Sequence, residues 1–316
     1  MALIKNQEKE VIDLIEIALS DENVDVKISA LKVLADADRD DQRFFTLLKK
    51  ALNDDNLAVK QNAILSLSGN QNPEAFALIN DLLENPNDEI RKFAAMALSG
   101  HKNNPQSLML IKKALNDSSL KVKESALLSL AGRTDDESIA LIEKYLFTTD
   151  PSLIKLKEHA AMALYGIHDI KALVLIEKAL DIQEYFVQYK AILALSGYND
   201  NESLKVIRKA FNIKEHDFKI DVLKTLCGRT DQGSLELLEE IIRGENGKLR
   251  NLAIDLLALR EDFHATKLIK KLLETDKSLS NMERGRLEYG LLKEMVAKKT
   301  TTAKCLALAL QRLSSK

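Results

Sequence analysis

Apolar residues recur along this chain at helical spacing, around a repeated small residue. At Ala30, the residues four positions before and four positions after are Val26 and Leu34, and the same trio returns about every 31 residues. Because one helical turn takes about 3.6 residues, these three positions share one face of an α-helix. Each trio therefore predicts a helix, named helix B here, and positions in it are counted from the central residue. The central residues are Ala30, Ala63, Ala94, Ala126, Ala160, Ala191, Val222 and Ala253.

A second apolar pattern precedes each helix B. It has two apolar pairs one turn apart, as in Leu47-Leu48 followed by Ala51-Leu52, and predicts another helix, named helix A. The connection from A to B is short and rich in Asp and Asn, which cap helix N-termini and favour turns. Glycine follows most B helices, from Gly69 to Gly228, as expected for a left-handed C-cap.

The repeating unit is therefore a helix hairpin with two apolar faces, which are buried only when hairpins stack on each other. The sequence predicts an all-α fold, an α-solenoid of eight hairpins and a ninth A helix at residues 263–274. One domain is expected over residues 1–316, with repeats over 1–275. Residues 276–316 are predicted to be capping helices, the last at 302–313, because the small-residue position of the ninth B helix falls on Arg284.

The motif Val-(Lys/Arg)-x-x-Ala-x-x-x-Leu-x-Gly, preceded by Asp or Asn, resembles the short HEAT-like repeat of bacterial scaffold proteins and of the lyases that attach bilins to phycobiliproteins. The resemblance covers about residues 10–275 and implies a solenoid, but fold and activity are separable in such proteins. It also implies a ladder of carboxylates and cations between repeats, in which Asp21, Asp54 and Asp117 pair with Lys27, Lys60 and Lys123, respectively. Later repeats lose the acid, which is replaced by Ile182, Ile213 and Gly244.

Basic residues occupy the −3 position of helix B in seven of eight repeats. We interpret this column as contacts between repeats, with a phosphate-binding stripe as the alternative. Lysine pairs also recur near the ends of A helices, at Lys49-Lys50, Lys112-Lys113 and Lys270-Lys271. We interpret these pairs as cations on a solvated face, favoured near helix C-termini by the helix dipole. The alternative is a basic ridge that binds nucleic acid.

Charge and composition narrow the choice of function. The chain has 46 Lys and Arg against 48 Asp and Glu, without the basic excess of a general polyanion-binding protein. Its first apolar stretch is interrupted by Asp13 and Glu16, and no run approaches 18 apolar residues, so neither a signal peptide nor a membrane span is predicted. With only two cysteines, a cytoplasmic location is expected.

Motifs that carry chemistry are absent from the sequence. It contains no H-E-x-x-H, no C-x-x-C and no glycine-rich phosphate loop. A HEAT-repeat di-iron hydroxylase would need repeated His-Glu dipeptides, whereas Glu158-His159 and Glu215-His216 have the reverse order. The lack of Trp argues against a base-handling enzyme. We therefore expect no catalytic site, cofactor, metal or small-molecule substrate.

The +2 position of helix B lies about 200° from the centre of the apolar face and should face outward along the inner row of helices. Five consecutive central repeats are apolar there, between Lys32 and Lys224. Such a row predicts a groove for an amphipathic helix or an extended peptide; the alternative is that curvature buries these side chains between adjacent B helices. The predicted partner-binding residues are Leu65, Phe93, Met96, Leu128, Met162, Tyr189 and Leu193.

The sequence thus predicts a non-catalytic scaffold or adaptor that binds a protein or peptide on its concave face. Two alternatives stay open at this point. One is a nucleic-acid-binding repeat protein that uses the lysine ridges, which the charge balance argues against. The other is an accessory protein that resembles the bilin lyases.

Overall fold

The computed structural model describes residues 2–36, 42–213, 216–244 and 247–293. Within these residues the chain is helical, with short turns and no strand, so the predicted all-α solenoid fold is confirmed. The predicted helix at 302–313 lies outside the described residues. The A helices are α1 (Ala2–Ala18), α3 (Gln42–Leu52), α5 (Pro73–Leu82), α7 (Pro105–Leu115), α9 (Asp136–Leu146), α11 (Ile170–Ala179), α13 (Asn201–Phe211), α15 (Gln232–Gly244) and α17 (Phe263–Thr275). The B helices are α2 (Val24–Ala35), α4 (Leu57–Leu65), α6 (Asp88–Ala97), α8 (Leu120–Leu128), α10 (Ile154–Ala163), α12 (Tyr185–Ala194), α14 (His216–Lys224), α16 (Lys248–Leu259) and α18 (residues 281–293).

The helices form two compact units, Met1–Ala194 and Leu195–Lys316. The first unit contains the six hairpins from α1 to α12, and the second contains the helices from α13 to α18. A single domain over residues 1–316 stays a prediction.

The turns between A and B helices are built on capping side chains, as the sequence predicted. The side chain of Asn56 accepts hydrogen bonds from the backbone N–H groups of Ala58 and Val59, at the start of α4. Asn87 does the same for Glu89 at the start of α6. These bonds satisfy N–H groups that a helix leaves free in its first turn.

Small residues let neighbouring B helices of the first unit approach closely. The central residues Ala63, Ala94 and Ala126 are fully buried, and the hydroxyl of Ser129 donates to the backbone carbonyl of Ala95 in the preceding B helix, at 2.7 Å. Consecutive B helices accordingly pack more tightly than consecutive A helices. The B row is therefore the inner, concave side of this unit.

The basic −3 column forms ion pairs between repeats. Lys27 donates to Asp54 at 2.6 Å, and Arg91 donates to both carboxylate oxygens of Asp117, at 2.7 and 3.0 Å. Each acid belongs to the repeat after the cation rather than to the same repeat. Where Ile182 replaces the acid, Lys157 pairs with Glu184 at 3.1 Å instead. These contacts favour the interpretation of the column as a link between repeats over a phosphate-binding stripe.

The ladder makes stability depend on pH. Hydrogen bonds from Arg91 and Lys27 hold the pKa of Asp117 and of Asp54, respectively, below the usual range of an Asp carboxyl. A carboxyl whose pKa is lower in the folded protein than in the unfolded chain stabilises the fold at pH values above its unfolded pKa, which is about 3.9. This stability is lost as the pH falls through the pKa of the folded state. We expect the urea midpoint to be lower at acid pH than at neutral pH, and Asp117→Asn to reduce that difference. Unfolding followed by circular dichroism at several pH values measures it, and an unchanged pH dependence in Asp117→Asn would contradict the assignment.

Buried arginines link the turns that follow B helices. Arg133 is only 2% exposed; its Nε donates to Asp135 and to the hydroxyl of Ser138, at 3.1 and 2.8 Å. Its Nη1 donates to the backbone carbonyl of His101 and to the hydroxyl of Ser107, in the preceding repeat, at 2.9 and 2.8 Å. One guanidinium thus joins two consecutive repeats.

A buried arginine makes a similar set of hydrogen bonds in the second unit. Arg229 donates to Asp231, to the backbone carbonyl of Tyr198 and to the hydroxyl of Ser203, at 2.8, 2.7 and 3.0 Å. Both turns have the sequence Gly-Arg-Thr-Asp, and no role was predicted for its arginine. The available signal was the spacing Arg-x-Asp-x-x-Ser, which occurs at both turns.

Helix α18 continues the B row of the second unit although its sequence departs from the repeat. Arg250 of α16 donates to Glu283 of α18 at 2.8 Å, and Gly290 packs against the backbone of Ala258. Arg284 stands where a small residue was expected, and its guanidinium donates to two backbone carbonyls near the end of α17. The departure at Arg284 therefore does not interrupt the hairpin pattern.

Candidate functional site

The candidate site is the +2 row on the inner side of the first unit, from α4 to α12. Leu128 is 38% exposed, and the other side chains of the row are half-buried. Their neighbours one position earlier, such as Ile64 and Leu127, are fully buried. The neighbouring B helices thus cover part of each side chain in the row and leave the rest exposed. This result lies between the two alternatives from the sequence, an open groove and full burial between adjacent B helices. The row consists of Leu65, Met96, Leu128, Met162 and Leu193.

Phe93 differs from the rest of the predicted set because it is buried, with 6% exposure. It stands at the −1 position of α6, and the Nζ of Lys92 lies 4.8 Å from the centroid of its ring. Close packing of the B helices covers this column, so Phe93 presents little surface to a partner.

Three aromatic side chains meet at the start of α12, at one end of the row. The ring of the half-buried Tyr189 stacks parallel to Tyr185, with centroids 6.3 Å apart, and Tyr185 meets Phe186 edge to face at 5.6 Å. Phe186 is exposed, and the Nζ of Lys155 lies 5.8 Å from its ring centroid. Only Tyr189 of the three was predicted; the signal for the other two was their position about one turn before it.

A charged edge runs beside the apolar row on α6, α8 and α10. Glu89 accepts hydrogen bonds from Lys121 of the next B helix and from Lys92 of its own helix, at 2.7 and 2.8 Å. These two lysines lower the pKa of Glu89 to about 2, so the carboxylate is ionised at neutral pH. Lys155 and Glu158 form a similar pair at 3.0 Å. The edge is therefore polar, with its charges largely balanced.

The lysine ridges of the A helices are also paired with acids of neighbouring repeats. Lys49 bonds to Glu74 at 2.6 Å, and Lys112 bonds to Glu137. In the second unit, Lys271 bonds to Glu239 at 2.8 Å. Nucleic-acid phosphates would have to compete with these carboxylates, so the ridges offer little free positive charge.

The described part of the chain contains no group of three or more His, Cys, Asp or Glu side chains placed to hold a metal ion. Among the same residues, none of the helices combines the length and the apolar character needed to span a membrane. Cys227 is exposed as a free thiol.

Comparison with known proteins bears on the fold. The model of the HEAT repeats family matches residues 12–99 and 77–156. Curated proteins give no significant match. Among solved structures, human deoxyhypusine hydroxylase in complex with glycerol is 14% identical, with 93% of this chain and 99% of that chain covered and a TM-score of 0.40.

Two further structures show a similar level of likeness. The Escherichia coli protein YibA is 18% identical over 86% of this chain and 98% of its own, with a TM-score of 0.47. The complex of CpcE and CpcF of phycocyanin lyase from Nostoc is 20% identical over 79% of this chain and 94% of its own, with a TM-score of 0.39. Likeness at this level does not extend to function. Residues 12–156 thus consist of HEAT repeats, and the same A–B hairpin recurs along the other described residues.

Proposed function

We propose that the protein is a non-catalytic scaffold or adaptor whose first unit binds an amphipathic helix or extended peptide of another protein along the +2 row. The observation that supports this most is that five consecutive repeats keep a Leu or Met at a position which remains partly exposed. The fold does not require an apolar residue there, because Lys32 occupies the same position of α2 and is exposed. Partly exposed apolar side chains in a continuous row are typical of an interaction surface.

The size of the row fits such a ligand. Helices pack about 8–10 Å apart, so five consecutive B helices carry the row over about 32–40 Å. A helical partner of about 25 residues, or an extended one of about 12, would span it. Met96 and Met162 have flexible, polarisable side chains that adapt to different apolar partners.

The surroundings of the row supply orientation and anchoring. The charged edge around Glu89 and Lys121 would fix the register of a bound segment through complementary charges. The aromatic cluster of Tyr185, Phe186 and Tyr189 offers the kind of side chain that dominates binding energy at interfaces. The partner is therefore expected to combine an apolar stripe with flanking charged residues. A cytoplasmic location is part of this proposal, and rests on the low cysteine content.

Replacing Leu128 and Leu193 together by Glu tests the proposal. A library of displayed 25-residue peptides would be selected on the wild-type protein, and the affinity of a labelled, selected peptide measured by fluorescence anisotropy. We expect the double variant to weaken its binding by about a hundredfold, because each of the two charges enters an apolar contact worth about 1.4 kcal/mol, which is a tenfold change in affinity. Helicity and melting temperature should stay close to those of the wild type.

Met109→Glu and Val174→Glu provide matched controls, because both residues are exposed apolar side chains on A helices of the same unit. Both controls should bind the selected peptide as the wild type does. Equal binding by the double variant would place the peptide elsewhere on the molecule, and unfolding of the double variant would show that the row belongs to the core. Either result overturns the proposal.

A further inference from the structure

The ion-pair ladder of the first unit is interrupted at Lys60, in the −3 position of α4. The acid that would pair with this lysine belongs to the next repeat, where Asn85 stands in its place. Within the described part of the chain, half-buried Lys60 makes neither a hydrogen bond nor an ion pair. Asp54 is already bonded to Lys27 at 2.6 Å, and Lys60 only adds a weaker attraction to that carboxylate. Lys60 is therefore a half-buried cation without a carboxylate of its own, unlike Lys27 and Arg91 on either side of it in the column.

Asn85 keeps the structure of its turn but changes what the turn offers to a cation. Its Oδ1 accepts a hydrogen bond from the backbone N–H of Asn87 at 3.0 Å, as Asp54 accepts one in its own turn at 2.8 Å. The second carboxylate oxygen of Asp54 accepts from Lys27 at 2.6 Å. The second polar group of an asparagine is an NH2 group, which donates. The turn therefore offers Lys60 a hydrogen-bond donor in place of an acceptor, and two donors do not bond to each other.

A cavity of about 230 Å³ lies at this place, between the A–B turns of the second and third hairpins. Lys60 and Asn85 both line it, and so does Asn87, whose Oδ1 accepts from the backbone N–H of Glu89 at 2.9 Å. The groups that these three side chains can offer to a ligand are thus one ammonium group and two NH2 groups, all of them donors. The aliphatic part of the lining consists of Leu52, Leu57, Ile64, Leu82 and Ile90.

The charge and the lining of the cavity favour one kind of anion. A phosphate group carries about −1.5 to −2 charges at neutral pH, more than Lys60 balances, and the carboxylate of Asp55 also lines the cavity. A carboxylate carries a single charge and accepts hydrogen bonds from several donors at once. The volume far exceeds the about 10–15 Å³ that one water molecule needs, and the aliphatic lining suits the methylene groups of a glutamate. In the same column, Lys157 binds Glu184 at 3.1 Å, which shows that such a lysine accepts a glutamate side chain.

We propose that this cavity binds the side chain of a glutamate from a partner protein. Its carboxylate would pair with Lys60 and accept from the NH2 groups of Asn85 and Asn87, and its methylene groups would lie against Ile64 and Ile90. The bound side chain would supply the carboxylate that the third repeat lacks in the ladder. The residues of the +2 row do not line this cavity, so the proposal stands or falls separately from the proposed function.

A titration of the full-length protein with a capped Ala-Glu-Ala tripeptide tests this binding. Methyl NMR signals of Ile64 and Ile90 report on the cavity, since both side chains line it. We expect these signals to shift and to saturate with a dissociation constant in the millimolar range, as suits a ligand with one anchoring side chain. The Ala-Gln-Ala tripeptide has nearly the same shape without the charge. It should bind at least about tenfold more weakly, because hydrogen bonds to charged groups are the stronger ones.

Two variants test whether Lys60 holds the carboxylate. Lys60→Met removes the cation, and Asn85→Asp supplies an internal carboxylate that pairs with it, so each should weaken the binding of Ala-Glu-Ala by about tenfold or more. Asn85→Asp should keep the turn intact, since Asp54 and Asp117 accept the same backbone hydrogen bond in their own repeats. Lys102→Met is the control, because it removes an exposed lysine elsewhere in the unit, and it should bind as the wild type does. Circular dichroism would verify that each variant keeps its helicity.

Four results would overturn the proposal. If Lys60→Met binds Ala-Glu-Ala as well as the wild type does, the tripeptide lies elsewhere on the molecule. Equal binding of the two tripeptides would show that the carboxylate is not recognised. If sodium butyrate saturates the Ile64 and Ile90 signals and Ala-Glu-Ala does not, the cavity takes a free carboxylic acid rather than a protein side chain. Signals that stay unchanged with both ligands would show that the cavity takes no carboxylate.

Discussion

Replacing Arg133 by Met is expected to lower the free energy of unfolding by about 3–6 kcal/mol, because the guanidinium makes two hydrogen bonds to buried groups and a hydrogen bond from a charged donor contributes about 1.5–3 kcal/mol. Met keeps the apolar stem of the side chain, so the loss comes from the guanidinium. Without it, the backbone carbonyl of His101 and the hydroxyl of Ser107 lose a buried donor, and Asp135 loses its cation. The His101 carbonyl and the Ser107 hydroxyl keep their mutual hydrogen bond at 2.9 Å, so the loss is that of the charged donor.

Urea unfolding followed by circular dichroism measures this loss. Arg43→Met is the matched control, because Arg43 lies in the same unit and forms an exposed pair with Asp13 at 3.2 Å. An exposed pair contributes about 0–1 kcal/mol, so the control should unfold close to the wild type. If the two variants lose equal stability, the contacts of Arg133 do not hold the repeats together. Arg229→Met repeats the experiment in the second unit.

The hairpins were predictable because their signals are local. Apolar residues four positions apart define one face of a helix, and Asn56 and Asn87 cap helices only two or three residues away. A stretch of about ten residues holds all the information needed for each helix. The recurrence of that stretch then predicts the stacking, since one hairpin cannot bury both of its faces.

The pairings between repeats were not predictable in the same way, because their partners lie one repeat apart. Arg133 reaches His101 and Ser107 across the boundary between two repeats, and Lys157 finds Glu184 in place of the missing acid. Many acids lie one repeat from any cation in this sequence, and periodicity does not rank them. Only the packing of the helices decides which pairs meet.

In the candidate site, too, some features follow from the local sequence and others depend on packing between helices. The +2 row followed from helical geometry, and the structure leaves all five of its side chains at least partly open. The burial of Phe93 did not follow, because it depends on how closely α6 approaches its neighbours. The alignment of Tyr185 and Phe186 with Tyr189 depends on side-chain packing as well. Sequence thus located the face, and the distance between helices determines which residues on it stay exposed.

The glycines after the B helices show how one recurring residue meets two different requirements. Five of the six have a positive φ, as predicted for a left-handed C-cap; the example from the second unit, Gly228, has φ +80°. Gly100 is the exception and ends a short 3-10 turn without a positive φ. A Cβ at Gly100 would lie 2.8 Å from the Cα of Gly69 and would also overlap the backbone nitrogen of Gly69. Glycine is needed there because two turns approach each other closely.

Gly100→Ala is therefore expected to lower stability by about 1–3 kcal/mol, the usual range for inserting a methyl group into a packed site. The atoms it would meet belong to the backbone, so consecutive repeats must separate to make room. Gly244→Ala is the control, because Gly244 lies in a helix and nothing stands within 4 Å of its added Cβ. That change should be neutral or stabilising by up to about 1 kcal/mol, since it reduces the freedom of the unfolded chain. Thermal unfolding of both variants decides the point: a Gly100→Ala protein as stable as Gly244→Ala would show that the turns around Gly69 and Gly100 are not in tight contact.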